Sequence, residues 1–268
     1  MTTSDSPYVL EQMSGHVLWL TLNRPQQRNP LSSAMIAALH QGLRNAEENE
    51  AVRVIVITAK GPIFSAGHDL KEMSGRREGL EPDTEKRVRR VLDACAELML
   101  ALVGSPKPVI AAVQGTASAA GCQLVSMCDL ALAADDVHFC TPGVNIGSFC
   151  TTPLVGIGRN MHRKHAMEMA LTGDMFSAED AVRFGLLNRS VPADRLTDEV
   201  EALAQHIAAR SAVGIAEGKA AFYAQIEQPI RDAYRNAGCT MLSAMTTAEC
   251  EEGVDAFLDK REPRWQGL

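Results

Sequence analysis

No Cys-x-x-Cys pair occurs in this 268-residue chain. Its seven cysteines (95, 122, 128, 140, 150, 239 and 250) are odd in number and sit mostly among apolar neighbours. That pattern argues against a disulfide framework and against structural zinc, and for reduced thiols in a cytosolic compartment. Continuous basic runs are also absent, and the net charge is −7. The densest basic group, "EKRVRR" at 85–90, opens with an acid and reads as the solvated face of a helix. Neither nucleic acid nor a membrane surface is therefore an expected partner. No apolar stretch approaches the roughly 18–20 residues that a membrane span needs. "MTTSDSPYVL" has neither a basic nor an apolar region of the kind a secretory signal requires, so none is expected there. No low-complexity linker and no repeat of about 20–50 residues appears. What remains is an ordinary composition, 46% hydrophobic and 22% charged. It suits one large domain, or one domain with a helical appendage.

Periodicity organises that composition. "HVLWLTLN" (16–23) alternates and predicts a strand ended by Arg24-Pro25, and "LSSAMIAALHQGLRNAEENE" predicts a helix capped by Ser32 or Ser33. The β-branched run "VRVIVITA" (52–59) and "KPVIAAVQG" (107–115) predict strands buried on both faces. A helix is expected over about 84–103, and short strands over "DLALAA" (129–134) and "VHFCTPG" (137–143). From Thr152 the pattern is mostly helical, with breaks at 173, 185 and 192. The expectation is an α/β core over 1–194 and a helical region over 195–268. Apolar stripes such as "LTDEVEALAQHIAAR" need packing partners, either the chain's own core or a second subunit.

Two segments carry the chemistry. "FSAGHDL" (64–70) follows a buried strand directly, and its small residues let backbone amides approach a ligand. A plain turn with an N-cap at Asp69 is the alternative. "GTASAAGCQL" (115–124) repeats the plan of strand, small-residue loop and helix. The unsatisfied amides of a helix start favour an anion. Close helix packing is the alternative here. Together the two junctions can aim two amides at one point, the geometry of an oxyanion hole.

In order along the chain, "LNRP" (22–25), "FSAGHDLKEM" (64–73), "KPVIAAVQG" (107–115), "AAGCQLVSMCDLALAA" (119–134), "LTGDMFSAEDAVRFGLLNRSVP" (171–192) and "GVDAFLDKREPRW" (253–265) resemble the enoyl-CoA hydratase/isomerase, or crotonase, superfamily. "GHDLKE", "AAGCQLV" and "TPGVN" resemble in particular its branch typified by enoyl-CoA hydratase domain-containing protein 3. The resemblance implies an α/β fold of repeated ββα units, the ClpP/crotonase fold, with a C-terminal helical trimerisation region. It implies an acyl-CoA thioester as ligand and a homotrimer or dimer of trimers as assembly. Coenzyme A would enter as part of the substrate; no prosthetic group and no metal is implied. The backbone amides of His68 and Ala120 would hold the thioester oxygen. Ala66, His68, Asp69, Leu70 and Lys71 would line coenzyme A, and Phe257 and Lys260 would reach its nucleotide, often in a neighbouring subunit.

The chain departs from that pattern where the chemistry is done. Gln123 and Gly143 stand where the family's hydratases carry two catalytic glutamates, and Thr151 stands where its dienoyl isomerases carry an acid. An amide can orient water but cannot take its proton, so efficient hydration by the usual route is not expected. "SAGHD" and "VNIG" also resemble methylmalonyl-CoA decarboxylase, whose carbanion arises by loss of CO₂ without a base. Cys150 falls near that enzyme's tyrosine; it is either a proton donor or a buried packing residue. Gly156-x-Gly158 lacks the third glycine of a dinucleotide site, and His162 and His165 lack an acidic or cysteine partner for a metal.

Overall fold

The computed structural model describes residues 6–76 and 79–265. The chain opens with a hairpin, β1 (Val9–Ser14) and β2 (Val17–Leu22), followed by α1 (Ser33–Glu48). Ser32 caps α1, its hydroxyl accepting from the Met35 N–H. Three units of one plan then follow. The first is β3 (Val54–Ala59), β4 (Ile63–Ser65), α2 (Leu70–Met73) and α3 (Thr84–Gly104). The second is β5 (Val109–Val113), β6 (Thr116–Ser118) and α4 (Ala120–Met127). The third is β7 (Leu130–Ala134), β8 (His138–Cys140), α5 (Pro153–Asn160) and α6 (Arg163–Thr172). β9 (Phe176–Ser177), α7 (Ala178–Phe184) and β10 (Arg189–Val191) complete the sheets. The helices α8 (Leu196–Ala208), α9 (Ala212–Gln225), α10 (Ile230–Ala244) and α11 (Ala248–Leu258) end the chain.

In each unit the first strand joins a six-stranded sheet, ordered β1-β2-β3-β5-β7-β10, and the second joins a four-stranded sheet, β4-β6-β8-β9. Pairing is parallel except for β1 with β2 and β8 with β9. This is the expected crotonase-like α/β fold of ββα units. β3 and β5 are apolar except for Thr58, and their side chains belong to the continuous hydrophobic core, as expected of parallel strands buried on both faces. The strands β1, β4, β6, β9 and β10 are absent from the sequence-level assignment. β4, β6, β9 and β10 are two or three residues long, and β1 is exposed at half of its positions, so neither alternation nor a buried run marks them.

α8 packs across β2, β3, β5 and β7 and buries Leu196, Val200, Ala204 and Ala208, one residue per turn. By packing it is part of the core. α9, α10 and α11 bury little, Ala233 on α10 and Ala256 on α11. α9 is tied to the core by Lys219, whose ammonium donates to Asp129 Oδ2 (2.7 Å) and to the carbonyls of Leu102 and Lys107. Tyr223 donates to the other oxygen of Asp129 at 2.9 Å. The "EKRVRR" segment needs one correction. Arg87 is buried, its guanidinium held by the carbonyls of Met73 and Glu81 and by the Thr84 hydroxyl, while Lys86, Arg89 and Arg90 face solvent. No described helix is long and apolar enough to cross a membrane.

Candidate active site

The first junction, from β4 into α2, is shaped by the segment before α1. Arg28 and Asn29 both have positive φ (65° and 49°), and the fully buried Asn29 side chain fixes them. Asn29 accepts from Arg24 N and donates to the carbonyls of Lys60 and Ile63. The buckled segment then pairs with the junction: Ala66 N donates to Arg28 O (3.0 Å), Ser65 Oγ to Asn29 O (2.8 Å) and Leu31 N to Gly67 O (2.8 Å). Gly67 turns the chain with φ +89°, and Asp69 caps α2 by accepting from Lys71 N and Glu72 N. The capping role of Asp69 is thus the observed one.

The second junction, from β6 into α4, turns at Ala119, which holds φ 50° and ψ −115° without a glycine's freedom. Its N–H donates to Cys140 O at 2.9 Å. The two turns are in contact. A Cβ placed on Gly67 would lie 2.9 Å from Ala119 Cβ, 3.0 Å from Ser118 O and 3.2 Å from Ala120 N. A Cβ on Gly121 would lie 2.5 Å from Ser65 O. Both glycines are therefore fixed by close approach. His68 and Ala120 sit on adjoining turns, and among the described residues neither N–H has a backbone acceptor.

Three of the six buried side-chain atoms without a hydrogen-bond partner among the described residues belong to these segments: His68 Nε2 at the first junction, Gln123 Oε1 on α4 and Thr141 Oγ1 directly after β8. Buried polar side-chain atoms are normally hydrogen-bonded, so each of the three is free to pair with water or with an atom of a ligand. Gln123 is 5% exposed, Thr141 is fully buried, and Thr141 follows Cys140, whose carbonyl receives Ala119 N. Burial pulls the His68 imidazole below its ordinary pKa of 6.5, opposed by the charge of Glu72. The Glu72 carboxylate is itself held by Ser33 Oγ (2.5 Å) and Ser33 N (3.0 Å) at the start of α1.

Gly143 lies in the 3₁₀ turn after β8, and Cys150 closes over it. A Cβ on Gly143 would meet Cys150 N at 2.9 Å and Cys150 Sγ at 3.0 Å. Burial pushes the Cys150 thiol up, so it stands as a neutral group in the space a side chain at 143 would need. Cys140 and Cys122 are likewise raised by burial and neutral. Ala66, Leu70 and Lys71 are exposed beside the first junction. Phe257 (82% exposed) and Lys260 are on and just beyond α11, which packs on α9. His162 and His165 do not form a site: His165 stacks on Phe184 at 3.6 Å, and no group of three potential metal ligands gathers among the described residues. Thr141, Glu72 and the strained Ala119 escaped the sequence reading, because nothing local distinguishes them from ordinary loop and helix residues.

The enoyl-CoA hydratase/isomerase family model matches residues 12–268. Enoyl-CoA hydratase domain-containing protein 3, mitochondrial, of Rattus norvegicus is 44% identical over 92% of this chain and 80% of its own length. The crystal structure of the human protein of that name superposes with a TM-score of 0.91 at 38% identity, over 96% of this chain and all of the other. An enoyl-CoA hydratase structure from Mycobacterium smegmatis gives 0.91 at 47% identity, over 97% and 99% of the two chains. The cytosolic compartment expected from the thiols is overturned: the rat relative and those from mouse, zebrafish and human are named mitochondrial. All seven thiols are free, but unpaired thiols mark a reducing environment without distinguishing one such compartment from another. On the family match and these relatives, the chain belongs to the enoyl-CoA hydratase/isomerase family, within the branch of enoyl-CoA hydratase domain-containing protein 3.

Proposed function

We propose that this protein is an acyl-CoA thioester-processing enzyme, a lyase or isomerase of fatty-acid or related acyl-CoA metabolism. It stabilises a thioester enolate through the backbone amides of His68 and Ala120. The observation that carries the reading is the contact of the two turns, with Gly67 packed against Ala120 N. An oxygen received there meets two donors, and removing one such donor typically costs about 3–4 kcal/mol of transition-state stabilisation. Coenzyme A arrives as part of the substrate, along Ala66, His68, Leu70 and Lys71, with Asp69 shaping that segment as a cap. Phe257 and Lys260 serve its nucleotide across a subunit boundary in a homotrimer or dimer of trimers.

Water addition by paired glutamates is not the reaction we assign. Each acid–base group contributes roughly 10²–10⁴-fold, and Gln123 and Gly143 supply neither. The second reading is decarboxylation of a short malonyl-type thioester. It is favoured by neutral residues at both positions, since no carboxylate there repels the substrate's own. The third is acyl-CoA binding without turnover.

Mass spectrometry of a panel of CoA thioesters, incubated with wild type and Gln123→Glu, separates these. Loss of CO₂ from a malonyl-type ester supports the second reading, and micromolar binding without any product supports the third. Rapid wild-type hydration of crotonyl-CoA would sink the argument from the missing glutamates.

A further inference from the structure

We infer that Ser65 is a positioning residue for the thioester oxygen: its hydroxyl decides which amide of the first turn stays free, and its bulk sets the gap to the second junction. The inference rests on the thioester reading above. Ser65 is fully buried and acts through its neighbours. β4 and β6 run parallel, with Ser65 paired to Ala117. His68 lies three residues beyond the one and Ala120 three beyond the other, so the register delivers both amides at the same level. Register alone does not aim an N–H, because the first turn offers three consecutive amides, those of Ala66, Gly67 and His68.

The Ser65 hydroxyl makes the selection. It donates to Asn29 O at 2.8 Å and accepts from Gly67 N at 3.3 Å, using its one proton and a lone pair. The Ala66 N–H is taken by Arg28 O at 3.0 Å. Two of the three amides are therefore spent on the fold, and that of His68 has no backbone acceptor among the described residues. Without the hydroxyl, Gly67 N–H loses this bond and competes with His68 for an incoming oxygen, at a turn whose φ is +89°. The same residue braces the second junction. A Cβ on Gly121 would lie 2.5 Å from Ser65 O and 3.0 Å from Ser65 Cβ, so Ser65 rests against α4 beside Ala120. One side chain thus bonds to the turn that presents His68 and packs on the helix that presents Ala120. A misplacement of about 1 Å in such a frame costs on the order of 10²-fold in rate.

Infrared difference spectra of butyryl-CoA, isotope-labelled at the thioester carbonyl, test the role, because hydrogen bonds to that oxygen lower its stretching frequency. Wild type is expected to move the band of the bound ester to lower frequency. Ser65→Ala is expected to lose most of that shift while still binding butyryl-CoA. Ser65→Cys, which fills nearly the same space with a weaker donor and acceptor, is expected to fall between the two and guards against the alanine variant failing to fold. Lys219→Met, destabilised at the α9 tether instead, is expected to keep the full shift, which separates aim from stability. A wild-type shift in either Ser65 variant overturns the role, and so does an equal loss in Lys219→Met. Binding to wild type without any shift removes the amide pair and the role of Ser65 with it. Absence of binding to wild type removes the thioester reading itself.

Discussion

The residues at the two turns differ in why they are tolerated. Gly143 has no room for a side chain, because Cys150 has taken the space: its N and Sγ would lie 2.9 and 3.0 Å from a Cβ there. Gly143→Ala is expected to cost about 1–3 kcal/mol in chemical denaturation, the usual range for overpacking. If the proposed hydratase positions hold, Gln123→Glu alone is therefore expected to gain little hydratase activity, since position 143 has no room for an acid. His68 gives a pH signature. Its folded pKa lies below the ordinary 6.5 through burial, so the unfolded chain binds the proton more readily. Stability is then full above 6.5 and falls as pH drops below it. Denaturation curves measured across that range are expected to show a smaller acid-side loss in His68→Gln; an identical loss would deny His68 the role.

At the scale of elements, the start of α4 carries strain and the middle of α9 carries a tether. Ala119 holds φ 50° and ψ −115°, a conformation that costs a non-glycine residue about 1–3 kcal/mol. Ala119→Gly relieves that strain and gives back about 0.4–1 kcal/mol through the greater freedom of the unfolded chain. A net gain in stability is expected, read as a raised melting temperature. The α9 tether is the buried pair of Lys219 and Asp129, whose side chains are 8% and 16% exposed. Removing one partner of such a pair leaves a buried charge, so Lys219→Met is expected to cost about 3 kcal/mol. Hydrogen exchange should show α9 loosened in that variant before α8, which is held by the large sheet. Much of this level was legible in the sequence. Ser32 as a cap, Asp69 as a cap and the buried runs of β3 and β5 all follow from local pattern. β4, β6, β9 and β10 were not legible, because strands of two or three residues exist only through their neighbours.

For the whole molecule, the C-terminal arm is the unfinished part. Ile230 and Tyr234 (both 76% exposed), Leu242 (70%), Phe257 (82%) and Leu258 (69%) leave large apolar side chains in solvent on α10 and α11, the kind of surface that marks interaction sites. Light scattering is expected to give three or six times the monomer mass, and Tyr234→Glu with Leu242→Glu to lower it. A wild-type monomer at micromolar concentration would remove the assembly proposed for this arm.

The sequence by itself determined the family and, through that resemblance, the expectation of ββα units and of neutral residues, Gln123 and Gly143, at two positions where hydratases are expected to carry acids, because each is a matter of which residue stands at which place in an ordered set of motifs. Tertiary structure decided what those residues mean. That Cys150 fills the space at Gly143, that Gln123 and Thr141 are left without partners, and that α8 belongs to the core all depend on packing between separate elements of the fold. Side-chain identity sets which bonds a group can make. Only the packed fold decides whether a partner is within reach.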